Sequence, residues 1–497
     1  MTSNNEDGYK VKVSDEDLTT LLDYKLAQSS ASFLDTSELS DERQKSTYEY
    51  AMIPQGHLKP QGVSRIVSSD TVEAIEGYTA VLSELLFDNN KLAKFKAYDR
   101  TPLALHKATA ASELLNHCLF SKNRGWSVLN TWLKSALMWK LSAVTWTYAS
   151  EEKVSFEEYE TIDSTALDVL LSDPEITTTG DIYLDERSGN YLDVRLKRTK
   201  VTNKVVVSAV PPETLRVGRG ATGIHDASFV GFEEEMTRSE IRERWPEAAE
   251  GVDWSAVESG IHYATQLNTD SLARKQAIGT TLLLGSGDDN QLEATESAVV
   301  LRCWVYVDRD GDGIAELKYI VRVGDTILEE EDADHIQVAT FTPFEIPFEL
   351  EGLSMSDMVR PSTLASTAIL RGFVENTYLT NYAPKIADPN VVDFSALQNM
   401  KPKQIIASNG NPQGAVASLP PEQISTGTVP LLQFLQGHKE QATGLSKAAQ
   451  GLNDALYVSG NSEAKVSQVQ SAAQIRIQFI ARRFMETGGR ELLEGIY

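Results

Sequence analysis

Hydrophobic positions along the chain mark a helical front, a middle of short β segments and a helical back. The back opens with LSMSDMVRPSTLASTAILRGFVENTYLTNY, where Met355, Met358, Val359, Ile369, Leu370, Phe373 and Leu379 recur at three- and four-residue steps. Such a helix would be about 40 Å long at about 1.5 Å per residue. A proline-punctuated insert follows, from APKIADPNVVDF to ASLPPEQISTGTVP. Helix returns at LLQFLQGHKEQATG, gives way to the small polar segment LSKAAQGLNDALYVSGNSE, and resumes as the single run AKVSQVQSAAQIRIQFIARRFMETGGRELLEGIY. The helix from Met355 carries apolar residues on more than one face. Head-to-tail contacts that close into a ring would bury such faces.

In the front, residues 1 to about 60 are polar and acidic. Ser14 and Ser40 are placed as helix N-caps, each followed by acidic residues that suit the positive helix end. This arm has too few apolar residues to fold alone and is expected to lie across a neighbouring surface. Three helical faces follow: Val72, Ile75, Thr79, Leu82 and Leu86; then Ala104, Ala108, Ala111, Leu115 and Leu119; then Trp126, Leu129, Leu133, Ala136 and Leu137. Trp126, Trp132, Trp139 and Trp146 lie close together, and core packing explains them more simply than a stacking platform. LSAVTWTYAS alternates as a strand, and FEEYETIDSTALDVLL reads as an acidic helix. NYLDVRLKRTK and KVVVSAV read as two strands joined at VTNK, followed by strands at ETLRVG and SFVGFEEEM. Thr237 and Glu240 form the capping box of a helix at TRSEIRERW. Residues 246–296 read as loose, and VVLRCWVYVD, ELKYIVRV, VGDTILEEED and HIQVATFTPF complete a mixed β region. The fold class is α+β, mostly helical.

Charge changes the picture. The chain holds 46 Lys and Arg against 71 Asp and Glu, a net charge of -25. From Val359 onward 12 basic residues face 10 acidic ones, so that segment is +2 and the rest is -27. A protein that grips nucleic acid ordinarily presents a basic surface. Acidic surface serves solubility, or it lets a polyphosphate slide past without braking. Mean hydropathy is -0.27, and no run of about 18 apolar residues offers a membrane span. The N-terminus lacks the basic-then-apolar pattern of a secretory leader. Cys118 and Cys303 are too few for a disulfide framework and read as buried thiols.

Candidate chemistry is sparse. Asp308, Asp310 and Asp312 with Gly311 and Gly313 match the opening of an EF-hand calcium loop. The twelfth position is Tyr319 rather than Glu, and strands rather than helices flank the motif. An acidic turn between two strands explains the same residues, so no cofactor is expected beyond a calcium ion at this turn. The seven histidines are scattered. No phosphate loop or nucleophile elbow exists, and Gly218-Arg219-Gly220-Ala221-Thr222-Gly223 lacks the lysine of a nucleotide loop. The chain is read as a non-enzyme.

The phrases LRGFVENTYLTN, QATGLSKAAQGLNDAL and SAAQIRIQFIARRFMETGGRELL resemble the portal (connector) proteins of tailed bacteriophages, most closely P22-like short-tailed ones. VSSDTVEAIEGYTAVLSELLF, NRGWSVLNTWLKSALMWK and DRDGDGIAELKYI strengthen the resemblance. It implies an N-terminal arm over 1–62, a wing over 63–352, a first stem helix over 353–384 and a clip over 385–428. A second stem helix over 429–445, a channel loop over 446–463 and a helix returning to the wing over 464–497 complete the implied order. It further implies a dodecameric ring at a capsid vertex of the virion, assembled in the host cytoplasm. Double-stranded DNA would pass through it without sequence specificity during packaging and ejection. The implied partners are the terminase large subunit, the tail adaptor and the major capsid protein, with no membrane. Ser446, Lys447, Gln450, Gly451, Asn453, Ser459, Asn461 and Lys465 would face DNA, Lys447 and Lys465 as rings of weak phosphate contacts. Lys385, Lys401, Lys403 and Gln404 would meet terminase and adaptor at the clip. Arg476, Arg482 and Arg483 would pair with acidic wing residues or lie at core-edge ion pairs. Members of this kind usually continue past ETGGRELLEGIY into a crown, so crown and barrel are expected to be absent or truncated here. The competing expectations are a non-portal ring adaptor or scaffold of a virion, and a calcium-dependent nucleic-acid enzyme.

Overall fold

A computed structural model describes residues 13–29, 38–87, 92–99, 101–179, 183–184, 190–254, 257, 269–278, 296–381, 385–387, 390, 409, 416–418, 428–444 and 463–497. The fold is α+β, with two five-stranded antiparallel sheets and a helical layer. Helix α1 (Asp15–Gln28) begins as expected, with the Asp17 N–H donating to Ser14 Oγ at 3.2 Å. Helix α2 (Glu38–Tyr50) starts two residues before Ser40, so Ser40 is no cap; its hydroxyl instead donates to Asp270 at 2.6 Å.

The main core gathers α3 (Asp70–Phe87), α5 (Gly125–Trp139) and the C-terminal helices α12 (Glu463–Glu486) and α13 (Gly488–Ile496). Helix α4 (Pro102–Asn116) flanks them and runs into a π-helical turn, His117–Lys122. Phe484 is the hub, with ring centroids 4.7 Å from Trp132, 5.0 Å from Phe341 and 6.4 Å from Phe87. Trp132 and Trp146 are therefore core residues, while Trp126 is exposed and does not belong to the buried face assigned to it. The C-terminal run is two helices rather than one. The chain breaks at Thr487 because Gly488 lies directly against the Thr340 carbonyl and the Trp132 ring, where a Cβ would collide.

Strand β1 (Ser142–Asp163) is far longer than its apolar start suggested and absorbs FEEYETID; only α6 (Ser164–Leu171) is helical there. Its partner β4 (Asn190–Val210) runs straight through VTNK. Both departures have one cause: cross-strand pairing over the whole length overrides local helix and turn propensity. The edge of β4 also pairs with β2 (Ile176–Thr178) and β3 (Tyr183–Leu184), and β10 (Val338–Phe341) pairs with the root of β1.

The second sheet is a meander in chain order: β5 (Leu215–Val217), β6 (Phe229–Thr237), β7 (Ser297–Val307), β8 (Glu316–Val323) and β9 (Thr326–Asp332). Leu18, Leu22 and Leu26 of α1 cover one face over Phe229, Leu301, Cys303 and Val305. That is the expected docking of the arm. Helices α7 (Arg238–Arg244) and α8 (Pro246–Ala249) cover the other face over Val300, Val321 and Val323. Cover on both sides explains why VVLRCWVYV is almost continuously apolar. The Thr237–Glu240 capping box is present. The stretch read as loose contains α9 (Thr269–Ala277), a polar helix held by ion pairs: Arg43 lies 3.6 Å from Asp270, and Arg274 pairs with Glu213. Those pairs leave no hydrophobic periodicity to read. Both cysteines are free thiols; Cys303 is buried as expected, whereas Cys118 is only half-buried, on the π-helical turn. Burial pushes the Cys303 thiol up to about 12.

Candidate functional site: a braced helical pair

Helix α10 (Met355–Asn381) and helix α11 (Thr428–Thr443) pack against each other. Beyond their far end the antiparallel strands β11 (Lys385–Ala387) and β12 (Val416–Ser418) close the insert, with Lys385 opposite Ser418. The near end is locked to the body. Ser354 and Asp357 cap α10 reciprocally, each accepting the other's N–H at 3.0 Å. Pro361 sits within the helix and cannot donate to the Asp357 carbonyl.

Arg360 is the centre of the lock. It pairs with Glu42, donates to Glu49 at 2.8 Å and to Ser46 at 3.0 Å, and lies 3.0 Å from Asp357. Glu49 is fully buried and His57 approaches it at 2.9 Å. Burial pulls the Arg360 guanidinium down, but Glu49, Asp357 and Glu42 outweigh that and hold it above its ordinary value. Burial likewise pushes Glu42 up, and the Lys45 hydrogen bond with the Arg360 charge outweighs it and holds the carboxyl low.

Against α3 the contact is made by hydroxyls. Thr363 and Thr71 meet at 2.9 Å, and the Ser68 N–H donates to Thr367 at 3.0 Å. Arg371 reaches the carbonyls of Ile66 and Leu58 at 2.8 and 2.7 Å. On α11, Lys439 bridges Asp70 at 2.7 Å and Glu73 at 2.8 Å. Burial pushes Asp70 up, and the Lys439 hydrogen bond and charge outweigh it, holding the carboxyl low. The Tyr78 hydroxyl donates to the Thr443 carbonyl, and burial lifts its phenol to about 12.

Helix α11 ends at Gly444, whose φ of +76° is the left-handed geometry of a glycine cap. Arg476 of α12 donates to the Gln441 and Ala442 carbonyls at 2.9 and 3.3 Å, a cation at a helix C-terminus. Arg483 pairs with Glu345 of the same chain, and Arg482 with Glu486 on its own helix. Among the described residues, Arg483 is the one of these three arginines with an acidic partner from the body of the chain. Gly444 and Glu463 are the described residues that bound the segment 445–462.

Ser446, Lys447, Gln450, Gly451, Asn453, Ser459, Asn461, Lys401, Lys403 and Gln404 lie outside the described residues. Lys465 stands on the first turn of α12, and Lys385 opens β11. The Asp308, Asp310 and Asp312 carboxylates converge, with one oxygen of each within 4.8 Å of the others. The N–H groups of Gly311 and Gly313 donate to Asp308 at 2.7 Å each, and that of Ile314 donates to Asp312 at 2.8 Å. Lost hydration pushes Asp308 up; the Gly313, Gly311 and Asp312 amides outweigh it and hold the carboxyl low. These bonds close a turn between β7 and β8. In the glycine cluster the Asp226 carboxylate accepts the N–H groups of Thr222 and Gly223 at 3.1 and 2.7 Å, filling the place a phosphate would need.

Arg360, Lys439 and the Ser/Thr face of α10 were not singled out in the sequence. For the last, the i, i+1, i+4, i+5 spacing of Ser362, Thr363, Ser366 and Thr367 was the available signal.

The helical pair is thus braced at one end, with the paired strands β11 and β12 following α10 and preceding α11 in the chain, and α12 returns to the core. The family model described as phage SU10 portal protein matches residues 18–497. The chain belongs to that family: it is a bacteriophage portal, a head–tail connector protein of the capsid vertex. No curated protein matches it significantly. Among the described residues no helix is long and apolar enough to cross a membrane.

Proposed function

We propose that the chain is the repeating subunit of a closed ring of about twelve copies, formed by heterologous contacts. Double-stranded DNA passes through it during packaging and ejection. The observation that carries this reading is the outer surface of the braced pair. Phe373, Leu379 and Phe434 there, and Ile475 and Phe479 on α12, are exposed although all are large and apolar. Exposed large apolar side chains at this density mark a protein interface.

In this reading α10 and α11 are the stem, the insert around β11 and β12 is the clip, and residues 446–463 form the channel loop. Lys447 and Lys465 provide weak, reversible phosphate contacts in a nearly neutral conduit. Lys385, Lys401, Lys403 and Gln404 receive terminase and later the tail adaptor, while the wing meets the capsid protein. The role is mechanical rather than catalytic. A calcium ion at the Asp308 turn would be a structural accessory.

Native mass spectrometry of the purified chain tests the ring: a closed species of about twelve copies is expected, and a chain that remains monomeric under assembly conditions refutes it. Deleting Ala448 to Asn461 should leave rings intact and impair DNA packaging or retention; normal packaging would refute DNA contact by this loop.

A further inference from the structure

The loop between β10 and α10 turns at Ile346-Pro347-Phe348-Glu349, where the Glu349 N–H donates to the Ile346 carbonyl at 3.1 Å. Proline suits the second position of such a turn, and a third position at positive φ favours glycine. Here the third residue is Phe348, at a φ of +69° and 86% exposed. A bulky side chain on left-handed backbone is strained, and it persists only where the surroundings hold it. The loop is held on both sides. The Leu353 N–H donates to the Phe344 carbonyl at 2.8 Å, the Thr342 hydroxyl donates to the Leu350 carbonyl at 3.2 Å, and Glu345 pairs with Arg483 of α12. Gly352 lies so close to the Phe344 carbonyl that a Cβ would collide. The fold therefore holds a phenyl ring out in water on a fixed loop, with Ile346 exposed two residues before it.

The same chain carries a cavity of matching kind. Its volume is about 390 Å³, and Leu92, Phe95, Met485, Leu493 and Tyr497 line it. The Phe95 and Tyr497 rings stand together in its wall, with centroids 4.9 Å apart. An apolar cavity of about 150 Å³ is enough for one benzene ring, so a phenylalanine side chain fits. At the rim Arg490 is paired with Glu494, which leaves Lys94 as the exposed cation. Glu349, beside Phe348, is likewise exposed, and among the described residues neither Lys94 nor Glu349 is in an ion pair. The loop and the cavity lie on different sides of α12. Arg483 meets the loop and Met485 lines the cavity; two residues apart on a helix, they point about 200° away from each other.

We propose that Phe348 of one copy of this chain inserts into the cavity between Leu92 and Tyr497 of the next copy, with Glu349 facing Lys94 across the contact. The inference rests on the ring reading above. Each copy offers one projecting ring and one receiving cavity on opposite sides, which is what a closed head-to-tail contact requires. The inserted ring joins the Phe95–Tyr497 pair, and the lone carboxylate and lone ammonium set its direction.

The test assembles rings from a mixture of light and heavy-isotope chains that carry photoreactive benzoylphenylalanine at position 348. After irradiation and digestion, mass spectrometry should find light-to-heavy crosslinks from position 348 to peptides containing residues 92–95 or 485–497. In native mass spectrometry Phe348→Gly should lower the ring fraction on the order of tenfold. Its urea unfolding midpoint should be unchanged or higher, because glycine takes a positive φ without strain; that separates assembly from folding. Ala93→Trp, which fills the cavity, should lower the ring fraction as well, and adding Phe348→Gly to it should lower it no further. Crosslinks that map elsewhere on the chain, or rings of wild-type abundance from Phe348→Gly, overturn this proposal and leave the ring reading standing. A wild-type chain that forms no ring overturns both.

Discussion

Replacing Arg360 by Met tests the lock between the N-terminal helix and the helical pair. The substitution keeps much of the side chain's length and removes its charge from among Glu42, Glu49 and Asp357. Glu49 dominates the cost, since it is fully buried, and leaving a buried charge without its partner costs about 3–5 kcal/mol. Three neighbours soften the loss: His57 stays beside Glu49 at 2.9 Å, Lys45 beside Glu42 at 3.0 Å and Lys140 beside Asp357 at 3.7 Å. Glu42 is partly exposed, so its share is at most about 1 kcal/mol. The expected loss at pH 7 is therefore about 3 kcal/mol, the low end of that range.

Urea denaturation of the unassembled chain measures it, and the sign of its pH dependence checks the cause. The folded Glu42 carboxyl is held below its ordinary value, partly by Arg360. Its contribution is present above the ordinary carboxylate range and lost as pH falls through the lowered value. The Arg360→Met chain lacks that part, so the gap between variant and wild type should narrow on acidification. Adding Glu49→Gln to the variant should recover part of the loss, since a buried charge no longer lacks its partner. A loss under about 1 kcal/mol at pH 7, or a gap that widens in acid, refutes the reasoning.

Phe484→Ala removes the ring shared by Trp132, Phe341 and Phe87; a loss of about 3–5 kcal/mol is expected in the same denaturation assay. Lys439→Met should cost stability at neutral pH and little in acid. The folded Asp70 carboxyl is held low by Lys439, so that stabilisation exists above the ordinary Asp range and disappears as pH drops through the lowered value. Unfolding curves of both chains across that range check it.

The helices were legible where packing is hydrophobic. Ile75, Thr79 and Leu82 of α3 and Leu129, Leu133 and Ala136 of α5 occupy the buried faces their spacing assigned, while Val72 is only half-buried. The capping box at Thr237 and the glycine-bearing turn at Asp308 were legible because local hydrogen bonds decide them. What could not be read depends on distant partners. FEEYETID has the composition of a solvated helix, and only β4 alongside makes it a strand. Helix α9 has no apolar stripe, since Asp270 and Arg274 anchor it to Arg43 and Glu213. The break at Gly488 exists because Trp132 and Thr340 lie there, more than a hundred residues away in sequence.

The apolar positions that first marked α10 as a helix are mostly not the ones its own chain buries. Met355 and Val359 enter the core, but further along the buried positions are Ser362, Thr363, Ser366 and Thr367. Their hydroxyls bond Thr71, the Ser68 amide, the Val359 carbonyl and His438. Phe373, Tyr378 and Leu379 turn outward. A helix of a self-sufficient monomer would do the reverse, since burying a large apolar side chain is worth about 1.5–3 kcal/mol and a satisfied hydroxyl pair adds only about 1 kcal/mol. The small buried face lets α10 approach α3 closely and fixes its angle through directional bonds. Its large apolar side chains Phe373, Tyr378 and Leu379 are left exposed, and the proposed ring is what would cover them.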